Sequence, residues 1–468
     1  MQPTYGALSL LPSVLAIALA LTSRRVLPSL LLGVACAVTI ADWDHLAAVP
    51  ARTIDRLVST ASDADNLRLV LFSVLIGSLL KLMKDSRGFE VMPRLLERRG
   101  RSYGGRTVFG LTWIFGTTLI LETWSNVLIS GTTLGSLYDR LGISRERLAY
   151  FIHTIGINVV AMVLLNSWGA FYMALLSSQG IDNPLPFLAR SVPYFLYSWA
   201  SLLLVAFVMT TGLTIGPMRR TERYERPDWR LRVAAAPPAV VSSGAEEPRM
   251  RYMLVPLAVL IGGVILSLWI TGNGNIAAGD GSSSVLYAVV AAIFVMAAML
   301  RVDRTFDFAA IEQKSVAGMA EFLDVAILIV LALALGSLSR ELGTGAYVAQ
   351  ILESSVPLAV VPALIFLTGA AMSFATGTSY GTFSIMVPIA LPISAATGLS
   401  PELLFGACIA GGVFGDNCSP ISDTTIVSAM SANVSAIGHA GTQLPYALIA
   451  ATISTGGYLV LGTVGAAW

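Results

Sequence analysis

Apolar runs of about twenty residues recur from one end of this chain to the other, and they leave one kind of solvent in which it can fold. A helix crossing a bilayer needs about 20 mostly apolar residues. Candidate spans are 6–22, 26–44, 67–84, 147–178, 187–216, 252–271, 284–301, 319–340, 402–430 and 439–466. Only 12% of the 468 residues are charged, about half the share in a soluble domain, and mean hydropathy is +0.75. The sequence therefore predicts an all-α polytopic membrane protein with lipid as its surroundings. A net charge of +1 gives no footing for nucleic acid. The opening "MQPTYGALSLLPSVLAIALALTSRR" has its arginines after the apolar run, so it reads as a first span and not as a cleaved signal. Cys36, Cys408 and Cys418 lie in apolar stretches without metal-ligand spacing and read as packing residues.

Two further apolar stretches, 107–139 and 357–396, are too long for one crossing and are interrupted by "ILETWSNVLISGTT" and "SFATGTSYGTFS". Each could be two crossings, one bent helix or a re-entrant hairpin. Lys and Arg gather in cytoplasmic loops, and the basic loops are 24–25, 81–106, 139–147, 217–251 and 301–304. If both stretches are hairpins, all five basic loops share one side. Loops 179–186, 272–283 and 397–401, without Lys or Arg, then share the other. This arrangement is preferred. It puts both termini outside, at the cost of Arg52 and Arg56 lying there too.

The halves also repeat. "IGSLLK" (76–81) matches "LGSLSR" (335–340), and "GISRERL" (142–148) matches "GLSPELL" (398–404), in the same order of elements. Each half then has five crossings and one hairpin, and an odd number of crossings inverts the second half, as in many secondary transporters. The predicted units are a first repeat, 1–216, with hairpin 107–139 and broken span 147–178; a linker, 217–251; and a second repeat, 252–468. The second repeat carries hairpin 357–396 and broken span 402–430.

The densest polar string, "GDNCSPISDTTI" (415–426), lies inside that second broken span. Pro420 has no backbone donor, and Gly411, Gly412 and Gly415 loosen the helix before it, so unwinding is expected around 415–422. Irregular backbone at membrane depth has to face protein or water. Freed carbonyls and the hydroxyls of Ser419, Ser422, Thr424 and Thr425 suit a hard cation, while Asp416 and Asp423 supply charge. A carboxylate at this depth is costly unless paired, protonated or bound to a cation. The structural alternative makes Asp416 or Asp423 a helix cap. The hairpin tip "ATGTSYGT" (375–382) adds Thr376, Thr378, Ser379 and Thr382, unless these only pack helices.

In the first half, Glu122, Asn126 and His153 stand out. Glu122, at a hairpin tip, is a carboxyl removed from water that could carry protons. His153 titrates near neutrality when unperturbed, although its place near the start of a span also suits an interfacial role. Asn158, Asn166 and Ser167 mark the expected first-half break, and Trp124 and Trp168 read as packing groups beside the tips.

"SFATGTSYGT", "FGDNCSPISDTTI" and "GTQLPYA" (441–447) closely resemble the NhaC family of sodium/proton antiporters, as do "LYDRLGISRERLAY" (137–150) and the opening span. The resemblance covers most of the chain apart from 217–251. It implies an elevator-type transporter, a homodimer, that exchanges cytoplasmic sodium for external protons. It also implies that Asp416, Asn417, Ser419, Ser422, Asp423, Thr424, Thr378 and Ser379 lie in or beside the ion and substrate site. The first half departs from the family. "LETWSN" stands where the family tends to have paired aspartates before Tyr-Ala-Asn, and "IHTIGINV" where it tends to have "VDSTAAPV". Glu122 and His153 thus replace aspartates, which leaves room for an organic or anionic substrate.

The sequence thus predicts a prokaryotic inner-membrane secondary transporter without a cofactor. Asp416 and Asp423 are the expected Na⁺ ligands, in competition with protons. Asn417, Ser419, Ser422, Thr424, Thr376, Thr378, Ser379, Glu122, Asn126 and His153 complete the expected site. The alternative keeps the fold and couples sodium or protons to a small carboxylate or amino acid. An intramembrane aspartyl protease fits poorly: "GVFGD" lacks a Gly-x-Gly-Asp element, and both aspartates share one span.

Overall fold

The computed structural model describes residues 5–23, 25–87, 105–118, 123–164, 166–181, 183–224, 249–275, 279–344, 347 and 357–465. Within them the regular structure is helical throughout. The first half contains α1 (Leu11–Ser23), α2 (Val26–Ala41), α3 (Val49–Ser62), α4 (Ala64–Asp85), α5 (Gly105–Thr118) and α6 (Thr123–Leu141). It continues with α7 (Arg145–Met162), α8 (Ser167–Ser178), α9 (Pro184–Ser191), α10 (Leu196–Thr211) and the short α11 (Met218–Tyr224). The second half contains α12 (Arg251–Thr271), α13 (Gly281–Val302), α14 (Phe308–Glu321), α15 (Leu323–Glu341) and α16 (Val361–Thr376). It ends with α17 (Ser379–Thr397), α18 (Pro401–Cys418), α19 (Asp423–Ala432) and α20 (Ala436–Gly465).

Seven described helices are long and apolar enough to cross a bilayer, and two bent pairs raise the number to nine. Their surfaces fit lipid. On α12 and α13, Trp269 and Phe294 are 53% and 71% exposed, and little of either helix is buried against protein. Helix starts are fixed by short polar side chains, as expected of N-caps. Asp63 accepts from the N–H groups of Asp65 and Asn66, Ser144 from Arg147, and Ser400 from Leu403.

The structure corrects several boundaries. The apolar run 187–216 is not one straight span: a 3₁₀ turn, Val192–Tyr194, joins α9 to α10 at a 50° bend, because Pro193 interrupts the ladder. The second-half break is narrower than 415–422, since α18 stays helical through Cys418 and only Ser419–Ser422 is irregular. Helix α3 lies outside the expected spans, α14 ends three residues into the one expected at 319–340, and the linker begins with α11. There the Glu222 carboxylate pairs with Arg147 at 2.8 Å. Arg52 and Arg56 are matched locally, by Asp42 at 2.6 Å and Glu341 at 2.9 Å.

Three packed groups position the site. Helices α12, α13 and α14 gather on α4; α16, α17 and α18 form a second group; and α5, α6 and α19 surround α7. Helix α15 bridges the first two groups by touching α4 and α17, and it also packs on α2.

Candidate ion site at the break between α18 and α19

Glycines on α18 let helix α16 come unusually close. A Cβ on Gly411 would overlap the carbonyl of Phe366, and one on Gly415 the backbone of Phe374. Hydroxyls then stitch the two together: Ser373 donates to the Gly412 carbonyl and Ser419 to the Phe374 carbonyl, both at 2.7 Å. At the hairpin tip Gly377 has φ +70°, and a side chain there would stand 2.9 Å from the Ile421 carbonyl. The tip therefore touches the break directly. Thr378 caps α17 by accepting from the Gly381 N–H at 3.3 Å, and Ser379 follows it as the first helical residue.

Asp416 is the hub. It is 3% exposed, and its Oδ2 accepts from Ser379 Oγ at 2.6 Å. Its Oδ1 accepts from Ser422 Oγ and, at 2.8 Å, from Thr424 Oγ1. Three hydroxyls from the hairpin tip, the break and α19 thus converge on one carboxylate. Among the described residues, no Lys or Arg lies within ion-pair distance of it. The carboxylate borders a cavity of about 550 Å³ with Trp124 from α6, Trp168 from α8 and Tyr380 from α17 in its wall. Asp423, Asp324 and Glu321 also face that cavity, against a single described cation, Arg25.

The other expected residues separate by position. Asp423 opens α19 on the cavity wall, where its Oδ1 accepts the Thr424 N–H at 2.7 Å. Thr378 also lines the cavity, whereas Thr376 turns back to the Met372 carbonyl at 2.8 Å. Asn417 reaches away from the cavity, its Oδ1 accepting from Tyr197 on α10 at 2.8 Å. Asn126 ties α6 to α5 by donating to the Gly116 carbonyl at 2.8 Å. Glu122 falls outside the described residues. His153 is fully buried, with α6, α10, α19 and α20 packed around α7. Its Nε2 lies 3.0 Å from Thr424 Oγ1 and its Nδ1 3.0 Å from His439 Nε2.

His439 and Gln443 are the residues that the sequence reading missed. They stand four apart on α20, hence on one face, and Gln443 Nε2 donates to the Asn417 carbonyl while lying 3.3 Å from His153 Nδ1. The signal was legible as "HAGTQ" opening an apolar helix. The side chains that donate to Asp416 are all hydroxyls, oxygen groups that suit a hard cation. No group of three or more His, Cys, Asp or Glu able to hold a metal occurs among the described residues.

The profile of the Na⁺/H⁺ antiporter family matches residues 159–463, well over half of the chain and including every residue of the Asp416 nest. The chain belongs to that family. An uncharacterized protein of Haemophilus influenzae is 28% identical over 482 residues, covering 97% of this chain and 90% of its own length. The malate-2H⁺/Na⁺-lactate antiporter of Bacillus subtilis is 33% identical over 91 residues, only 19% of either chain. Among solved structures, the Alcanivorax borkumensis YdaH transporter is 17% identical and aligns with a TM-score of 0.58 over 90% of each chain, a shared fold. Membership of this antiporter family makes the protein a multi-pass secondary transporter.

Proposed function

We propose that the protein exchanges Na⁺ for protons across the plasma membrane of a prokaryote, with Asp416 as the group that holds either ion. One observation carries this reading: a buried carboxylate, held by three hydroxyls and by no cationic side chain among the described residues, opens on a cavity rich in carboxylates. Such a charge at membrane depth is neutralised by a cation or a proton, so the two compete for one site. Na⁺ would take Asp416 and the hydroxyl oxygens of Ser379, Ser422 and Thr424, with Asp423 drawing cations into the cavity. Exchange then needs no further coupling device, because the site crosses only when neutralised.

An inverted repeat is supported by paired contacts across the halves. Contacts α1–α2, α3–α15, α2–α15 and α10–α18 have counterparts α12–α13, α14–α4, α13–α4 and α20–α7. Rocking or sliding of one group of helices against another would alternate access. Glu321 on the cavity wall pairs with Lys81 at 3.3 Å. That pairing supports a cavity mouth on the basic side of the molecule, which the charge rule makes cytoplasmic.

A second reading, a small organic solute coupled to sodium or protons, has its own support. The cavity is far larger than a bare ion and is walled partly by Trp124, Trp168 and Tyr380. The experiment uses purified protein in liposomes with an internal pH dye and an imposed proton gradient. Dissipation by Na⁺ or Li⁺ alone supports the exchanger. Dissipation only when a carboxylate or amino acid is also present supports the second reading, and no response to either refutes both.

A further inference from the structure

Gln443 fixes the direction of a buried chain of hydrogen bonds that ends on Asp416. Its Nε2 donates to the carbonyl of Asn417, so the amide nitrogen, a donor only, is also what faces His153 Nδ1 at 3.3 Å. Nδ1 is therefore the acceptor of the His153 ring, and Nε2 carries its hydrogen. That Nε2–H donates to Thr424 Oγ1 at 3.0 Å, and the Thr424 hydroxyl donates onward to Asp416 Oδ1 at 2.8 Å. On the other side, His439 Nε2 lies 3.0 Å from the same acceptor Nδ1 and must be the donor. His439 is left with a bare lone pair at Nδ1, buried and without a partner among the described residues. Asp416 and Thr424 are each 3% exposed, and both imidazoles are fully buried.

We propose that His439, His153 and Thr424 form a proton wire that loads and unloads Asp416 by a route separate from the cavity. Asp416 and Thr424 line the cavity, whereas the two histidines lie behind them. His439 sits in the first turn of α20, two residues from Ile437, which is 80% exposed, so the outer end of the wire is close to the periphery. A proton from water binds His439 Nδ1 as that ring's Nε2 proton passes to His153 Nδ1. The His153 Nε2 proton passes to Thr424 Oγ1, whose own proton passes to Asp416 Oδ1. Each of the three relaying groups forms one bond to hydrogen and breaks one, both rings end neutral, and the net result is one proton moved from water to Asp416. The reverse sequence removes it. Sodium reaches the same carboxylate through the cavity, so the two competing ions arrive by different doors.

The proposal rests on Asp416 being the exchanging group, and its test separates the two ideas. Liposomes holding the full chain are assayed in two modes: Na⁺/H⁺ exchange with a pH dye, and Na⁺/Na⁺ exchange with radioactive sodium, which needs no proton. His439→Gln keeps an amide donor toward His153 but cannot relay a proton. Na⁺/H⁺ exchange should fall by about 100-fold or more, with Na⁺/Na⁺ exchange unchanged. Retention of both modes overturns the wire. Loss of both also overturns it, because His439 is then needed for folding or for binding sodium. If the glutamine variant does not insert, His439→Asn gives the same comparison. Wild-type liposomes that exchange sodium in neither mode overturn the antiporter reading itself, and the wire with it.

Discussion

Among the hydroxyls of the second hairpin, Ser379 is the one whose removal should be felt. Its Oγ donates to Asp416 Oδ2 at 2.6 Å and lies 3.2 Å from the Gly412 carbonyl. It is the only residue of the described hairpin tip that bonds the Asp416 carboxylate. Ser379→Ala leaves the charge with two hydroxyls and takes one oxygen from the proposed Na⁺ shell. A hydrogen bond to a charged group contributes about 1.5–3 kcal/mol, which corresponds to a change in affinity of about 10- to 150-fold. The half-saturating Na⁺ concentration for dissipation of a proton gradient should rise by that factor. Thr376→Val is the control, because among the described residues Thr376 bonds only its own helix at Met372; the account expects no measurable shift there. A Ser379→Ala protein with wild-type Na⁺ dependence, or a Thr376→Val protein with the larger shift, would refute the assignment of the tip.

Three further outcomes follow from the geometry. Asp423 faces the cavity but lies outside the hydroxyl nest, so Asp423→Asn should raise half-saturating Na⁺ by about 1.5- to 5-fold, the effect of one lost rim charge, without abolishing exchange. Gly411→Ala places a Cβ on the Phe366 carbonyl and should cost about 1–3 kcal/mol by overpacking; thermal unfolding in detergent reads this as a lowered Tm. Gly262→Ala on α12, with nothing within 4 Å of the added carbon, should not lower it. At the end of α13, the Tyr252 hydroxyl donates to Asp303 at 2.6 Å. That bond, with Arg251 and Arg249 nearby, holds the carboxyl below its ordinary pKa of 3.8. Asp303 therefore contributes stability above that value, and the contribution is lost as pH falls through its lower folded pKa. Acid unfolding followed by fluorescence should be less steep in Tyr252→Phe than in wild type across that window.

The polytopic helical class was legible because desolvated backbone leaves few options in lipid, and the apolar runs announce their own length. Pro420 announced the break at Ser419–Ser422, since a missing N–H is a local property of the sequence. Pro193 carried the same signal inside 187–216, and its apolar surroundings masked it. Asp416 was readable as a costly charge, but its partners were not. The pairing of Ser379 with Asp416 depends on how closely α16 lies on α18, and so on what a Cβ at Gly411 would meet. Thr376 and Ser379 look alike in sequence; only the cap at Thr378 decides which hydroxyl faces the carboxylate. His153 and His439 are 286 positions apart, and no periodicity within either helix could bring them together.

The most direct test of the central claim compares wild type and Asp416→Asn, reconstituted side by side in liposomes with a proton gradient and an internal pH dye. Asparagine keeps the shape and one acceptor oxygen while removing the charge that Na⁺ and protons share. The account predicts that Na⁺ dissipates the gradient in wild type, and that the variant, folded to a wild-type Tm, shows no sodium-dependent dissipation. A folded Asp416→Asn protein that still exchanges Na⁺ for protons at the wild-type rate would contradict it and move the ion site away from the break between α18 and α19.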